Sequence, residues 1–247
     1  MTLVGLRHHD NPFVVCGTSL SACENCPDRC VPLEQVRLVW ANAVNGDDEG
    51  HYHNDDKVIS VTETLLCTLK SVLARTVDYS ESPKALSPRA AGTAMHKAME
   101  AVNDDGCSEV MLTKRLSRGF SLMGTADRLT DDYVMDYKSM DSFRKTVDLQ
   151  HEEQLSIYGE MAGGGRKLLL AQMTRKGIQI MEIEPIDGAL DACIERAERM
   201  IDVLTGDAEL ESLPPLGREI KFFRNRQCDY CPYEIKKACD KLHPSEE

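Results

Sequence analysis

The chain has few aromatic residues and no long apolar run. One tryptophan is present among its 247 residues, and aromatic residues make up 5% of the total. No stretch approaches the roughly 20 consecutive apolar residues that a membrane-spanning helix needs. The first residues also lack the apolar core of a secretory signal peptide. The sequence therefore predicts neither a transmembrane helix nor a secretory signal, and we expect a cytoplasmic protein.

Basic residues are also scarce, with 29 Lys and Arg against 41 Asp and Glu, for a net charge of −12. Such a charge is unfavourable for a protein that coats nucleic acid indiscriminately, because phosphate repels it. Five acidic residues cluster at 45–56, whereas the charged residues of 218–237 are six basic and three acidic ones. Phe222, Phe223 and Tyr230 lie in that basic stretch and could stack on unpaired bases. The balance favours a narrow DNA-binding groove with a local positive charge.

The segment Tyr133–Ser139 is an apolar run broken by one acid and one lysine. Successive side chains of a β-strand alternate between its faces, so Asp136 and Lys138 are predicted to share a face. A carboxylate and an ammonium placed together can share a metal ion and a reacting phosphate. Asp127, nine residues before Asp136, offers a second carboxylate on a predicted neighbouring strand. Taken singly, an Asp-x-Lys pair on a strand is usually a solvated ion pair, and Asp127 alone could be a turn residue.

Two further motifs flank these acids. A helix predicted at 88–104, with Ser87 and Pro88 at its start, places His96 at the edge of an apolar stripe. Gln154 and Tyr158 are four residues apart in a second predicted helix and therefore share a face. In chain order the motifs are Gly-x3-His, Gly-x2-Asp, Asp-x-Lys and Gln-x3-Tyr.

That order, across roughly residues 58 to 241, resembles the RecB-like branch of the PD-(D/E)XK nuclease superfamily. Within it the chain looks most like the CRISPR-associated Cas-four exonucleases and their phage relatives. The resemblance implies an α/β fold with a central mixed sheet flanked by helices. It also implies a Mg²⁺- or Mn²⁺-dependent deoxyribonuclease acting on single-stranded DNA or DNA ends, with protein partners in recombination or CRISPR adaptation.

The resemblance assigns roles to the matching residues. The metal would be held by His96, Asp127, Asp136 and the backbone carbonyl of Tyr137. Lys138 would activate the attacking water or stabilise the charge that builds on phosphate, while Gln154 and Tyr158 would position DNA or Lys138. The donor chemistry agrees, because hard oxygen ligands suit Mg²⁺ and Mn²⁺ and one imidazole favours Mn²⁺.

The chain has 10 cysteines, and in a reducing compartment clustered cysteines indicate metal rather than disulfides. Cys67 lies on a helix predicted at 60–76, with Ser60 or Thr62 as its cap, and could alternatively be a small buried core residue. The resemblance implies that one such cysteine joins three C-terminal ones around a [4Fe-4S] cluster. The matching residues are Cys67, Cys228, Cys231 and Cys239, and the last gap is longer than is usual in the family.

A second group lies near the N-terminus: Cys16, Cys23, Cys26 and Cys30. Tetrahedral Zn²⁺ is the default for four thiolates in a short segment, a second iron–sulfur cluster also fits, and some of the four could be free thiols. We therefore divide the chain into a cysteine-containing extension with an acidic linker, 1–57, and a nuclease domain, 58–247. The predicted strands are 109–116, 119–129, 133–139, 167–175 and 178–184, and further helices are predicted at 147–162 and 187–205.

Two rival functions remain open. A nuclease fold can grip DNA, or act as a scaffold in a repair, recombination or CRISPR adaptation complex, without cutting. A zinc-bearing regulatory protein would require the motif set to be a coincidence. The complete set of His96, Asp127, Asp136 and Lys138 favours an active nuclease, because loss of activity usually removes one of these residues.

Overall fold

A computed structural model describes residues 3–7, 15–17, 57–81, 92–96, 99, 107–214 and 231–243. The strands are β1 (Leu3–Arg7), β2 (Val15–Gly17), β3 (Val58–Ser60), β4 (Tyr79–Glu81), β5 (Ser108–Arg115), β6 (Ser121–Leu129), β7 (Tyr133–Ser139), β8 (Lys167–Thr174) and β9 (Gly177–Ile183). The helices with defined bounds are α1 (Val61–Leu65), α2 (Thr68–Thr76), α3 (Leu149–Met161), α4 (Ala189–Leu204) and α5 (Tyr233–Leu242), and residues 92–96 are also helical.

The chain forms two compact units. One comprises Met1–His51, Leu66–Thr93 and Val203–Glu247, and the other comprises Tyr52–Leu65 and Ala94–Asp202. The second unit contains a six-stranded sheet in the order β3-β6-β7-β8-β9, with β5 paired to β6. Strand β3 is parallel to β6 and β7 to β8, while the other neighbours are antiparallel. Helices α1 and α3 pack on this sheet, which confirms the predicted central mixed sheet flanked by helices.

The alternation of β7 places its polar and apolar side chains on opposite faces. Met135 and Tyr137 are buried in a cluster with Ala171 and Met173 of the parallel neighbour β8. Met95 and Met99 pack against that cluster, which explains the apolar stripe of the segment that carries His96. The opposite face of β7 therefore presents Asp136 and Lys138 together, as the sequence predicts.

The helix predicted at 60–76 is interrupted. Ser60 begins α1 through a capping box, since Glu63 N donates to Ser60 Oγ (3.1 Å) and Ser60 N donates to Glu63 Oε2 (2.8 Å). Thr64 Oγ1 then bonds to Val61 O (2.7 Å), a side chain–backbone bond that competes with helix continuation. Cys67 has an extended backbone, with φ −64° and ψ 107°, and is the N-cap of α2 rather than a residue within the helix.

The first unit contains a three-stranded sheet in the order β2-β1-β4. Strand β1 is parallel to β4 across the predicted boundary at residue 57, so strands from both sides of that boundary share one sheet. Helix α5, which we did not predict, begins after Pro232 and packs against α2 and β4. In the part of the chain that the structure covers, no helix has the length and apolarity to cross a bilayer.

Candidate active site

Asp127 and Asp136 are buried carboxylates on the neighbouring strands β6 and β7. They are 5% and 3% exposed, and Arg128 and Met135, the residues that adjoin them, pair directly across the two strands. Burial raises the pKa of the Asp127 carboxyl, and the negative charge of Asp136 raises it further. The sequence predicted this pair, and the antiparallel register between β6 and β7 brings its members together.

His96 is oriented by a backbone carbonyl. Its Nε2 lies 3.1 Å from the oxygen of Tyr137, and since that oxygen can only accept, Nε2 carries the proton of this hydrogen bond. The other ring nitrogen, Nδ1, lies 3.2 Å from Asp127 Oδ1. Tyr137 N in turn donates to Asp127 Oδ2 at 2.5 Å. A histidine held this way, with one N–H on a carbonyl and the other nitrogen facing carboxylates, has the arrangement common among metal ligands.

Glu109 is a site residue that the motifs did not identify. Its Oε1 lies 3.8 Å from His96 Nδ1, and its backbone has a φ of +50° although it belongs to β5. Pairs on either side of it, Ser108 with Arg128 and Val110 with Ala126, place Glu109 across from Asp127. Glu109 could have been found only from the pairing register between β5 and β6, and the sequence alone does not determine that register.

Three of these side chains form a candidate metal site. The ligand atoms of His96, Glu109 and Asp127 all lie within 4.8 Å of one another. Within the described ranges, this is the only such group of three or more His, Cys, Asp or Glu side chains. Nitrogen and carboxylate oxygen donors fit a divalent cation such as Mn²⁺ or Mg²⁺.

Asp136 and Lys138 form an ion pair on the same face of β7. Lys138 Nζ donates to Asp136 Oδ1 (3.1 Å) and lies 2.8 Å from Oδ2. The Lys138 side chain is 24% exposed and the Asp136 side chain is 4% exposed. Asp136 Oδ2 is buried, and its close contact among the described residues is the Lys138 ammonium. The positive charge of Lys138 therefore compensates the charge of this buried carboxylate.

The titration of these groups follows from their contacts. Hydrogen bonds to Asp127 and Glu109 raise the pKa of His96 from 6.5 to about 10, although burial opposes this rise. Burial raises the pKa of Asp127, and the hydrogen bond from His96 only partly offsets it. For Lys138, burial would lower the pKa, but the charge and hydrogen bond of Asp136 outweigh burial and raise it. In the metal-free protein His96 is therefore an imidazolium at neutral pH.

Gln154 and Tyr158 contact each other on α3. Gln154 Nε2 donates to the Tyr158 hydroxyl at 2.9 Å, and Tyr158 is 3% exposed. The Tyr158 ring packs so closely on Gly124 that any Cβ at Gly124 would overlap it. Because Gly124 lies on β6 three residues before Asp127, the pair connects α3 to the strand that carries a site carboxylate.

His151 is a second residue that the motifs did not identify. It lies on the same face of α3 as Gln154 and Tyr158, at spacings of three and seven residues. Burial lowers its pKa, and the positive charge of Lys138 lowers it further, so the ring is neutral. Its Nδ1 is buried without a hydrogen bond from the described residues.

The predicted cysteine sites are only partly described. Cys67, Cys231 and Cys239 belong to the first unit and are partly exposed. The packing of α5 on α2 connects the segments that carry Cys239 and Cys67. Cys228, and Cys23, Cys26 and Cys30 of the N-terminal group, lie outside the described residues, while Cys16 lies in β2.

Comparisons with known proteins place the fold. No protein-family model matches the chain, and no curated protein matches it. Over 75% of its length the chain superimposes on 86% of the solved structure of SSO0001, with a TM-score of 0.52 and 20% sequence identity. A protein named "Putative exonuclease" from Eubacterium rectale matches 65% of this chain and 87% of its own, with 15% identity and a TM-score of 0.39. The first likeness shows a shared fold, and the second is too low to carry an argument.

Proposed function

We propose that this chain is a metal-dependent DNA exonuclease that hydrolyses phosphodiester bonds in single-stranded DNA or at DNA ends. One observation carries the proposal: the buried Asp127 lies between His96 and the backbone of Tyr137, beside the Asp136–Lys138 pair. Two acids, an imidazole and a lysine thus occupy one region of the sheet. A solvated ion pair or a turn residue would not require the burial of both carboxylates.

The residues divide the chemistry between them. His96, Asp127 and Asp136 are the proposed ligands of Mg²⁺ or Mn²⁺, with Glu109 as a further carboxylate. The Tyr137 carbonyl, also predicted as a ligand, meets His96 Nε2 here and would reach the same ion as Nδ1 only if the ring turned. A bound divalent cation would lower the pKa of the attacking water and neutralise charge on the phosphate. Each carboxylate must be ionised to serve, and His96 must lose its Nδ1 proton, so binding releases protons.

Lys138 is the proposed electrostatic stabiliser. Its pKa is raised, so it is an ammonium at neutral pH, which suits a donor placed where negative charge grows rather than a general base. Asp136 fixes the position of the Nζ group through two contacts. Tyr158 packs on Gly124 of the strand that carries Asp127, and in this proposal Gln154 and Tyr158 position DNA or Lys138.

A cleavage assay tests the proposal. Single-stranded DNA labelled at either end is incubated with the full chain in Mg²⁺, in Mn²⁺ and in EDTA. Cleavage that requires the metal and is lost in Lys138→Ala supports a nuclease. Retained DNA binding without cleavage in any metal would instead support the rival function, a catalytically silent DNA-binding or scaffold protein.

The cysteines carry two further proposals. A [4Fe-4S] cluster would be held by Cys67, Cys228, Cys231 and Cys239. The packing of α5 on α2 supports this proposal, because it brings together distant parts of the chain that carry Cys239 and Cys67. Cys16, Cys23, Cys26 and Cys30 would hold Zn²⁺. Metal analysis of anaerobically purified protein, compared with Cys26→Ser, tests the second: wild type should contain zinc that the variant lacks, and equal zinc contents would contradict it.

DNA is the proposed partner, together with proteins of recombination or CRISPR adaptation. Lys114 and Arg115 at the end of β5 are exposed cations in the same unit as the site. Arg118, three residues after Arg115, is ion-paired with Asp202 at 2.8 Å. The stretch 218–230 lies outside the described residues, so its role in DNA binding stays a prediction.

A further inference from the structure

The loop at 140–148 connects β7, the strand that carries Lys138, to α3. It contains one aromatic residue and two cations in succession, Phe143, Arg144 and Lys145. The chemistry proposed above gives none of these three residues a role. Where the loop lies relative to Lys138 decides whether it can take part in the function.

The buried side chain of Gln172 on β8 holds the backbone of this loop. Arg144 N donates to Gln172 Oε1 at 2.7 Å, and Gln172 Nε2 donates back to Arg144 O at 3.1 Å. Gln172 is 0% exposed, so its amide has to be satisfied inside the protein. Two hydrogen bonds to a single residue fix the backbone at Arg144, and therefore also the places from which Phe143 and Lys145 project.

These hydrogen bonds lie on the same face of the sheet as Lys138. Lys138 pairs with Gln172 in the parallel register of β7 and β8. Side chains of paired residues on neighbouring strands point to the same face. The Arg144 guanidinium is in turn ion-paired with Asp148, the residue that precedes α3. The loop is therefore anchored next to Lys138, on the face where the proposed chemistry needs the phosphate.

Phe143 and Lys145 are exposed on either side of the fixed residue. Phe143 is 37% exposed. Lys145 is exposed and forms no ion pair within the ranges that the structure describes, whereas Arg144 is already paired with Asp148. Proteins bind single strands with this combination, in which an aromatic ring stacks on a base and a cation contacts the backbone phosphates.

An exposed aromatic ring selects unpaired nucleotides. Both faces of a base inside a duplex are already stacked on neighbouring bases, and removing a base from that stack costs free energy. A base in a single strand or at a frayed end can stack on a side chain with little of this cost. A ring fixed beside Lys138 therefore fits a single strand or a frayed end rather than an intact duplex.

We propose that Phe143 and Lys145 bind the substrate strand, with Phe143 stacked on an unpaired base and Lys145 in contact with the adjoining phosphates. The inference rests on the proposed nuclease function and names the groups that make its site prefer single-stranded DNA. Gln172 keeps both groups in place through the backbone of Arg144. The loop thus has a binding role although it lies outside the four sequence motifs.

The test is binding of the full chain to a short single-stranded oligonucleotide in EDTA, which prevents metal-dependent cleavage, measured by fluorescence anisotropy. A second oligonucleotide of equal length has every base removed. Phe143→Ala should weaken binding of the intact strand about 10-fold and binding of the abasic strand less than about twofold, because only the intact strand has bases to stack. Equal affinity of wild type and Phe143→Ala for the intact strand would overturn the proposal.

Lys145→Gln should behave differently from Phe143→Ala. It should weaken binding of the intact and the abasic strand alike. It should also reduce the slope of log Kd against log salt concentration by about 0.7, since one phosphate contact to a single strand is lost. An unchanged slope would overturn the role of Lys145.

Two further variants separate stacking from effects on folding. Phe143→Leu keeps an apolar side chain, so it should melt close to wild type and still bind the intact strand about 10-fold more weakly. Wild-type affinity of this variant would contradict stacking. Ile180→Ala is the matched control: Ile180 is 57% exposed and pairs with Ala171, on the opposite face from Gln172, so both affinities should be kept.

Binding and cleavage can fail separately. Binding that depends on Phe143, without cleavage in Mg²⁺ or Mn²⁺, would refute the nuclease and keep the role of the loop. Metal-dependent cleavage by wild type, together with binding that is independent of Phe143, would refute the role of the loop alone. Wild type that binds no single strand would also overturn the role of the loop, whatever it cleaves.

Discussion

The backbone oxygen of Tyr137 accepts a hydrogen bond from His96 Nε2 at 3.1 Å. This bond joins a helical segment to the strand that carries Asp136 and Lys138. The two bonded residues, His96 and Tyr137, are 41 positions apart in the chain. The bond determines that Nδ1 is the ring nitrogen that meets Asp127 and Glu109. The predicted metal-binding histidine thus depends on a main-chain contact that no motif describes.

The first prediction concerns catalysis. Asp127→Asn, Asp136→Asn and Lys138→Ala should each slow cleavage of single-stranded DNA by about 100-fold or more, because each removes either a proposed metal ligand or the ammonium that stabilises charge on the reacting phosphate. Affinity for the oligonucleotide, measured in EDTA, should change little. Glu182→Gln serves as the control, since it alters an exposed carboxylate away from these residues. Cleavage by Lys138→Ala at the wild-type rate would show that the site is wrongly assigned.

The second prediction concerns the pH dependence of stability without metal. The pKa of His96 is about 10 in the folded protein and 6.5 without the fold. Because the folded pKa is the higher, the stabilisation is complete below pH 6.5 and is lost as the pH rises through 10. In EDTA, urea unfolding should give a wild-type advantage over His96→Gln that is larger at pH 6 than at pH 10. An equal difference at both pH values would contradict the contact with Asp127 and Glu109.

The third prediction concerns the contact between Gly124 and Tyr158. Gly124→Ala should lower the free energy of unfolding by about 1–3 kcal/mol, because its methyl group would overlap the buried Tyr158 ring. Gly92→Ala is the matched control: nothing lies within 4 Å of its Cβ position. That change lies at a helical position and should be stabilising by about 0.5–1 kcal/mol. Denaturant unfolding of both variants decides it, and equal stability of Gly124→Ala and wild type would count against the packing.

The fourth prediction concerns the proposed cluster. Cys67→Ser or Cys231→Ser should remove the visible absorbance of anaerobically purified protein and lower its melting temperature, since the cluster would crosslink distant segments. Cys107→Ser changes a partly exposed cysteine outside the proposed set and should keep both properties. Zinc without iron in wild-type protein would refute the iron–sulfur assignment.

The fifth prediction separates the two proposed caps of the first helix. Ser60→Ala should destabilise the protein by about 1 kcal/mol, because Ser60 Oγ accepts from Glu63 N and the capping box is lost. Thr62→Ala alters an exposed residue inside α1 and should change the unfolding free energy by less than about 0.5 kcal/mol. A larger loss from Thr62→Ala than from Ser60→Ala would reverse the assignment.

Local signals in the sequence determined most elements of the larger sheet. The apolar run with alternating polar residues predicts β7 at Tyr133–Ser139, and the structure has the same bounds. The glycine run at 163–165 predicts the end of α3, and all three glycines have a positive φ. The interruption at Cys67 was missed because the Thr64 side-chain bond that accompanies it leaves no pattern in a helical sequence.

The sequence by itself determined that Asp136 and Lys138 share a face, because that relationship depends only on the two-residue period of a strand. It also placed Asp127 on the adjacent strand, since a short turn forces antiparallel pairing. Only the tertiary structure decided that Glu109 faces His96 and that Tyr137 orients the imidazole. It also decided that burial, and then the charge of Lys138, lower the pKa of His151. These contacts depend on register between separate strands and on the packing of α3, Met95 and Met99 against the sheet. A pattern read along one segment does not contain the distances between segments, which are set by how the buried faces fit together.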